Sequence, residues 1–135
     1  GVSKDSPHMD IAYKLVEYGK RPVLKLSTGK TTLPAEKQVY RKTHENGVFL
    51  EDIIAVRNEA PIDNARPLLE QVVKNGKRTF SQSLEDARNL CADSLKKLPS
   101  GVVALESPAA YPVRESQNLQ QQVKEISEEM KKQIW

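Results

Sequence analysis

The chain has 135 residues, a formal net charge of +3, and only 5% aromatic residues. This length suits one domain with a largely aliphatic core. Because basic and acidic residues are interspersed and no apolar run approaches the ~20 residues of a membrane span, we expect neither a nucleic-acid partner nor a membrane partner. The one cysteine, Cys91, excludes a disulfide bond within the chain.

The first part of the chain has the pattern of a short hairpin. Residues 1–10 lead into it, and residues 11–18 and 22–27 alternate enough to predict two strands. Gly19 lies in the turn between them, where glycine is free to adopt a positive φ. A loop over residues 28–36 follows.

Two Asn-Gly pairs mark further hairpins. Asn46 and Gly47 form a strong turn signal, and strands are predicted before it over 37–43 and after it over 48–56. The remaining β-rich part is predicted to contain a loop over 58–67, a strand over 68–74, a turn at Asn75 and Gly76, and a strand over 77–80.

Helical periodicity begins at Ser83. Ser83 is a favourable N-cap residue, Asp86 stands at the capping-box distance, and Pro99 ends a helix predicted over about 83–98. Its apolar face is formed by Leu84, Ala87, Cys91, Leu95 and Leu98. We therefore interpret Cys91 as a small, buried hydrophobic residue.

A second helix is predicted over about 116–135, after an irregular connector over 99–115. Its apolar stripe is formed by Leu119, Val123, Ile126, Met130 and Ile134. The predicted fold class is therefore α+β, with antiparallel β hairpins over about residues 11–80 followed by two C-terminal helices. We interpret residues 1–135 as one domain with a β-rich part over 11–80 and a helical part over 81–135.

No group of residues assembles an active site in the sequence. Ser27–Thr31 ends like a phosphate-binding P-loop, but Leu24 occupies the position of the first required glycine, so a surface loop is favoured. His8 and His44 have no further ligands at metal-binding spacing. The carboxylates without an evident partner are interpreted as solvated: Glu51, Asp52, Glu106 and Glu115.

A small basic strand face completes the candidates. Lys37, Tyr40, Arg41 and Lys42 lie on one predicted strand, and lysines in such a position usually protect a sheet edge from pairing. From the residues alone we therefore assign no catalytic, cofactor-binding or metal-binding residue to this chain.

Several blocks resemble, in the same order, the C-terminal part of nicotinate phosphoribosyltransferases. Residues 12–16 and 19–27 are similar to a V-Y-K-L strand and a G-x-P-x-x-K-L-S hairpin of that family. Residues 30–34 and 37–41 are similar to its T-L-P-G loop and K-x-V-Y-R strand. Ala35 departs from the family pattern, which usually has glycine there. Further similar blocks lie at 66–69, 75–77, 83–88, 98–99 and 107–113.

The resemblance implies an enzyme of NAD salvage that makes nicotinate mononucleotide from nicotinate and phosphoribosyl pyrophosphate, assisted by Mg²⁺ and coupled to ATP hydrolysis. It implies a cytoplasmic homodimer with an irregular α/β barrel, whose catalytic residues all lie upstream of the present ones. On this interpretation the chain is a piece of a longer protein, is inactive alone, binds no cofactor itself, and has the remainder of the parent chain as its partner. The alternative is a free-standing interaction module that docks through its C-terminal helix.

Overall fold

The computed structural model describes residues 13–25 and 32–134, with side chains as far as Lys132. The predicted α+β class is confirmed within these ranges. The predictions for residues 1–12 and 26–31, including His8 and the P-loop-like segment Ser27–Thr31, lie outside the described residues. The elements are β1 (Glu17–Tyr18), β2 (Arg21–Pro22), β3 (Lys37–Thr43), β4 (Phe49–Val56), β5 (Ala65–Pro67), β6 (Val73–Lys74), β7 (Lys77–Arg78), α1 (Leu84–Lys96), β8 (Val113–Glu115) and α2 (Gln117–Ile134).

Two of the predicted hairpins close with two-residue turns. β1 and β2 pair around Gly19 and Lys20, with φ of 56° and 65°. β6 and β7 pair around Asn75 and Gly76, with φ of 50° and 72°. Positive φ at both central residues is the signature of a type I′ turn, whose twist matches that of the paired strands. The predicted turns are therefore confirmed, although the strands around them are shorter than predicted.

The third hairpin forms the centre of a four-stranded sheet with the order β5-β3-β4-β8. β3 pairs antiparallel with β4 from Lys37 opposite Val56 to Lys42 opposite Glu51, and the register then shifts beside the turn. The turn contains Gly47 with φ of 88°. The predicted strands over 37–43 and 48–56 are thus confirmed to within one residue.

The outer strands of this sheet were not predicted. β5 lies in the predicted loop over 58–67, and β8 lies in the predicted connector over 99–115, where it pairs parallel to β4. Each has only three residues, which is too few to show an alternation of apolar and polar residues. The parallel pairing of β8 is also set by a long crossover connection rather than by a local turn. The sheet is consequently mixed, and one strand lies between the two helices.

The predicted strand over 68–74 is reduced to two residues because a side chain replaces a strand partner. The Gln38 amide donates Nε2 to the Leu69 carbonyl at 2.9 Å and accepts the Leu69 N–H through Oε1 at 2.8 Å. These two hydrogen bonds satisfy the Leu69 N–H and C=O groups without a neighbouring strand, so the chain leaves the sheet after β5.

The core lies between β4 and the first turns of α2. Ile53 and Leu119 are fully buried there. Ser116 caps α2, since its Oγ accepts the Leu119 N–H at 3.1 Å and donates to the Glu59 carboxylate at 2.7 Å. Val123, on the next turn of the predicted stripe, is half-buried. The N-terminal part of the predicted stripe is therefore an internal packing surface.

The capping box of α1 is confirmed, but its predicted burial is wrong. Ser83 accepts the Asp86 N–H and the Asp86 carboxylate accepts the Ser83 N–H. No residue of α1 is buried, and Cys91 is exposed. Periodicity indicates that a helix has an apolar face, but it does not indicate whether that face is covered by the same chain.

Ala35 stands where the similar family has glycine, and its backbone explains that preference. It adopts φ of 63° while 4% exposed. We expect Ala35→Gly to raise the free energy of unfolding by about 1 kcal/mol, because alanine is strained at positive φ. Ala55→Gly in β4 removes an equally buried methyl group from extended backbone, so it should destabilise. Urea unfolding of both variants measures these changes. A loss of stability in both would show that the positive φ of Ala35 does not strain the backbone.

Candidate functional site

A cluster of polar side chains lies on one face of the main sheet, where Arg41 of β3 stands opposite Asp52 of β4. The guanidinium donates Nε to Asp52 Oδ1 at 2.8 Å and Nη2 to Oδ2 at 2.7 Å. Tyr111, just before β8, donates its hydroxyl to Oδ1 at 3.1 Å. Three segments of the chain therefore converge on one carboxylate, and we call this group the Asp52 cluster.

Aromatic rings complete the Asp52 cluster. The Arg41 guanidinium carbon lies 4.4 Å from the centroid of the Phe49 ring and 5.9 Å from that of Tyr111. Cations at these distances are attracted to the ring faces. The side chains of Arg41 and Asp52 are 20% and 13% exposed, so the pair is largely shielded from water.

The protonation states of the cluster are fixed by these contacts. The hydrogen bonds from Arg41 lower the pKa of Asp52, and burial acts more weakly in the opposite direction. Burial, reinforced by the neighbouring Asp52 charge, raises the pKa of Tyr111. Asp52 is therefore ionised and Tyr111 protonated at neutral pH. A general acid or base needs a pKa near the working pH, so the geometry indicates a structural clamp rather than a catalytic pair.

A second ion pair links β4 to β8. Arg114 donates Nε and Nη2 to the Glu51 carboxylate at 2.8 and 3.2 Å, and Lys42 Nζ lies 3.6 Å from it. Its hydrogen bonds with Arg114 lower the pKa of Glu51. The prediction that Glu51 and Asp52 are solvated is therefore wrong, because partners distant in sequence reach both. Glu106 is exposed as predicted, and Glu115 is half-buried.

The predicted basic edge is also wrong in its placement. β3 lies between β5 and β4, so Arg41 and Lys42 are on an internal strand. Lys37 donates Nζ to the carbonyls of Leu33, Pro34 and Ala35, at 2.9, 3.2 and 2.6 Å. Burial lowers its pKa, which is typical of reactive lysines, but the three carbonyls occupy its three donors. Lys37 thus ties the preceding loop to β3.

Among the described residues, the remaining histidine candidate is not brought together with a reactive partner. His44 is exposed in its turn, with Nδ1 accepting the Asn46 N–H at 3.3 Å. Over residues 13–25 and 32–134 there is no group of three or more His, Cys, Asp or Glu side chains suited to a metal ion. The expectation that no magnesium is bound by this part of the chain stays a prediction, since Mg²⁺ is held by as few as one or two carboxylates together with substrate phosphates. Nor does any helix there have the length and apolar character required to cross a bilayer.

A shallow groove of about 550 Å³ separates the main sheet from α1. Its apolar lining includes Leu68, Phe80 and Leu90, and its charged lining consists of Glu70, Arg66 and Arg41, which is already paired with Asp52. Mixed charge around an open apolar floor does not select an anion or a cation. This groove is therefore an open surface with an apolar floor rather than a small-molecule site.

The lowered pKa of Asp52 predicts how stability depends on pH. An unfolded aspartate titrates near 3.9, and the folded group titrates lower. The stabilisation by ionised Asp52 is therefore fully present above the pKa of the unfolded protein's aspartate. It is lost as the pH falls through the lower pKa of Asp52 in the folded protein. We expect the urea midpoint to fall from about pH 5 downward, and to fall less in Asp52→Asn. If the urea midpoint depended on pH equally in the wild type and in Asp52→Asn, Asp52 would not be the group responsible.

The pairing of Arg41 with Asp52 had a signal in the sequence. The two residues lie symmetrically about Asn46 and Gly47, so a hairpin centred on that turn places them opposite each other. No comparable signal exists for Tyr111, which reaches the cluster from 59 residues away.

The comparisons with known proteins agree with the resemblance. Residues 63–123 match the family model described as the nicotinate phosphoribosyltransferase C-terminal domain. Over 122 residues the chain is 37% identical to nicotinate phosphoribosyltransferase pncB2 of Mycobacterium tuberculosis, covering 87% of this chain and 26% of that relative. This chain is the counterpart of the C-terminal region of nicotinate phosphoribosyltransferases.

Other members of the nicotinate phosphoribosyltransferase family match the same region. The mouse enzyme is 29% identical over 145 residues, covering 90% of this chain and 27% of its own length. The crystal structure of human nicotinic acid phosphoribosyltransferase aligns with a TM-score of 0.73 at 26% identity, covering 86% of this chain and 26% of that one. The chain thus spans about a quarter of the length of its relatives and corresponds to their C-terminal region.

Proposed function

We propose that the chain is the supporting C-terminal domain of a nicotinate phosphoribosyltransferase. The whole protein converts nicotinate and phosphoribosyl pyrophosphate into nicotinate mononucleotide and pyrophosphate, coupled to ATP hydrolysis. The observation that carries this proposal is the 37% identity over 122 residues to an enzyme named for that activity.

The geometry of the described residues supports a structural role within that enzyme. Asp52 and Glu51 are held by arginines, and Lys37 is held by carbonyls, so none of these groups is free to transfer a proton or attack a substrate. We propose that the residues that bind nicotinate, phosphoribosyl pyrophosphate, Mg²⁺ and ATP lie in the remainder of the parent polypeptide. We further propose that the parent is a cytoplasmic homodimer, as the resemblance implies.

The alternative of a free-standing module has less support. It requires the apolar stripe of α2 to be available to a partner. Leu119 is fully buried, and Val123, Ile126 and Met130 are each half-buried in the isolated chain. A stripe that already packs internally leaves little apolar surface for a second protein.

The test compares two proteins, the product of the complete reading frame that encodes these residues and the 135-residue chain. Both are given nicotinate, phosphoribosyl pyrophosphate, Mg²⁺ and ATP, and nicotinate mononucleotide is measured. We expect turnover by the first and none by the second above a blank without nicotinate. Omitting ATP tests the coupling. Turnover by the short chain, or an inactive complete product, would overturn the proposal.

A further inference from the structure

The segment over residues 69–98, which we call the arm, holds β6, β7 and α1 and has almost no core of its own. No residue of α1 is buried, and every residue of β6 and β7 is exposed. An isolated two-stranded hairpin and a 13-residue helix are each marginal in water. The arm therefore needs a covering surface to hold this conformation firmly. Its exposed large apolar residues are Leu69, Val72, Val73, Phe80, Leu84, Leu90 and Leu95.

The faces of α1 show which side is uncovered. Leu90 and Ser94 line the groove toward the main sheet. The helical repeat places Leu84, Cys91 and Leu95 together on a neighbouring side, which we call the outer stripe. Leu84 is 69% exposed and Leu95 54% exposed. The outer stripe is thus an apolar surface that the chain's own sheet does not cover.

We propose that the outer stripe, together with the β6–β7 hairpin, docks on the phosphoribosyltransferase body that precedes this domain in the same polypeptide. This inference rests on the proposed function, because it requires that body to exist. The aligned region is only 26–27% of the length of the curated relatives, so most of each relative lies outside it. A covalently tethered surface meets its partner at high effective concentration, so a modest interface suffices.

Charge defines the partner face and argues against a second copy as the occupant. Residues 71–84 contain Lys74, Lys77 and Arg78 and no acidic residue. A two-fold contact between two copies uses the same patch on each, which would bring both basic hairpins into one interface. We therefore expect acidic residues on the part of that face that receives the hairpin, whereas α1 carries its own acids, Glu85 and Asp86, beside Leu84.

The first measurement is hydrogen exchange of the α1 backbone in the complete protein and in the 135-residue chain. We expect the amides of residues 88–96 to exchange at least about tenfold more slowly in the complete protein, independently of protein concentration. Equal exchange in both would overturn the proposal. So would protection of the short chain that rises with its concentration and accompanies a dimeric mass, since the occupant would then be a second copy.

A matched pair of variants tests which side of α1 is covered. Leu84→Glu places an acid in the first turn, where it favours the helix dipole, so the helix itself is not weakened. In the complete protein it should abolish the slow exchange, because it puts a charge against an apolar surface. Asn89→Glu adds the same charge on the opposite, polar side and should leave the protection intact.

The results separate the two proposals. If Leu84→Glu and Asn89→Glu behave alike, the outer stripe is not the docking surface, whatever the activity of the wild-type protein. If the complete wild-type protein makes no nicotinate mononucleotide, the proposed function fails, whatever the exchange data show. Circular dichroism of both variants as short chains checks that α1 still forms.

Discussion

Replacing Leu119 with alanine is expected to lower the free energy of unfolding by about 3 kcal/mol, within the 2–5 kcal/mol found for fully buried leucines. Leu119 is 0% exposed and lies in the first turn of α2, where the helix packs on β4. Removing its side chain loses the transfer free energy of the buried methyl groups and leaves a cavity where α2 packs on β4. The urea midpoint of the 135-residue chain measures the loss.

Leu105→Ala is the control for this prediction. The same atoms are removed, but Leu105 is 100% exposed in the connector before β8. Its effect should stay within about 0.5 kcal/mol. Similar midpoints for the two variants would show that α2 does not dock on the sheet in solution, and the stripe of α2 would then be available to a partner.

The elements that the sequence predicted best are those defined by neighbours in the chain. The turn at Asn46–Gly47 needs a positive φ at Gly47, and the turn at Asn75–Gly76 needs one at both residues, which asparagine and glycine tolerate. The N-terminus of α1 is set by Ser83 and Asp86, three residues apart. Each signal is complete within a few residues, so it can be recognised without knowing the tertiary structure.

The elements that the sequence missed depend on distant partners. β8 is a strand because it lies parallel to β4, and its three residues show no period of their own. The exposed face of α1 has the same pattern as a buried face, since both are apolar every third or fourth residue. Burial is a property of what surrounds a helix, and the described residues leave the outer stripe of α1 uncovered.

Part of the Asp52 cluster, the Arg41–Asp52 pair, was predictable from the sequence. Arg41 and Asp52 are symmetric about the Asn46–Gly47 turn, so a strict hairpin register identifies the pair. Tyr111 and the bridge from Arg114 to Glu51 require the path of the chain through α1 and the connector.

Replacing Asp52 with asparagine is expected to lower the free energy of unfolding by about 2–3 kcal/mol, somewhat below the 3–5 kcal/mol seen when a fully buried ion pair is broken. Arg41 would keep its charge while losing a bidentate acceptor, in a site where its side chain is only 20% exposed. Tyr111 would lose a charged acceptor for its hydroxyl. Urea unfolding at neutral pH, where the wild-type carboxyl is ionised, measures the loss.

Two further variants determine whether that loss arises from the pair itself. Glu51→Gln breaks the bridge to Arg114, which is 48% exposed, and should cost less than about 1 kcal/mol because water screens such pairs. Arg41→Met combined with Asp52→Leu removes both charges, and should be less destabilising than the sum of the two single changes. Additive losses would mean that Arg41 and Asp52 do not stabilise each other, and that aromatic packing around Phe49 holds this face of the sheet.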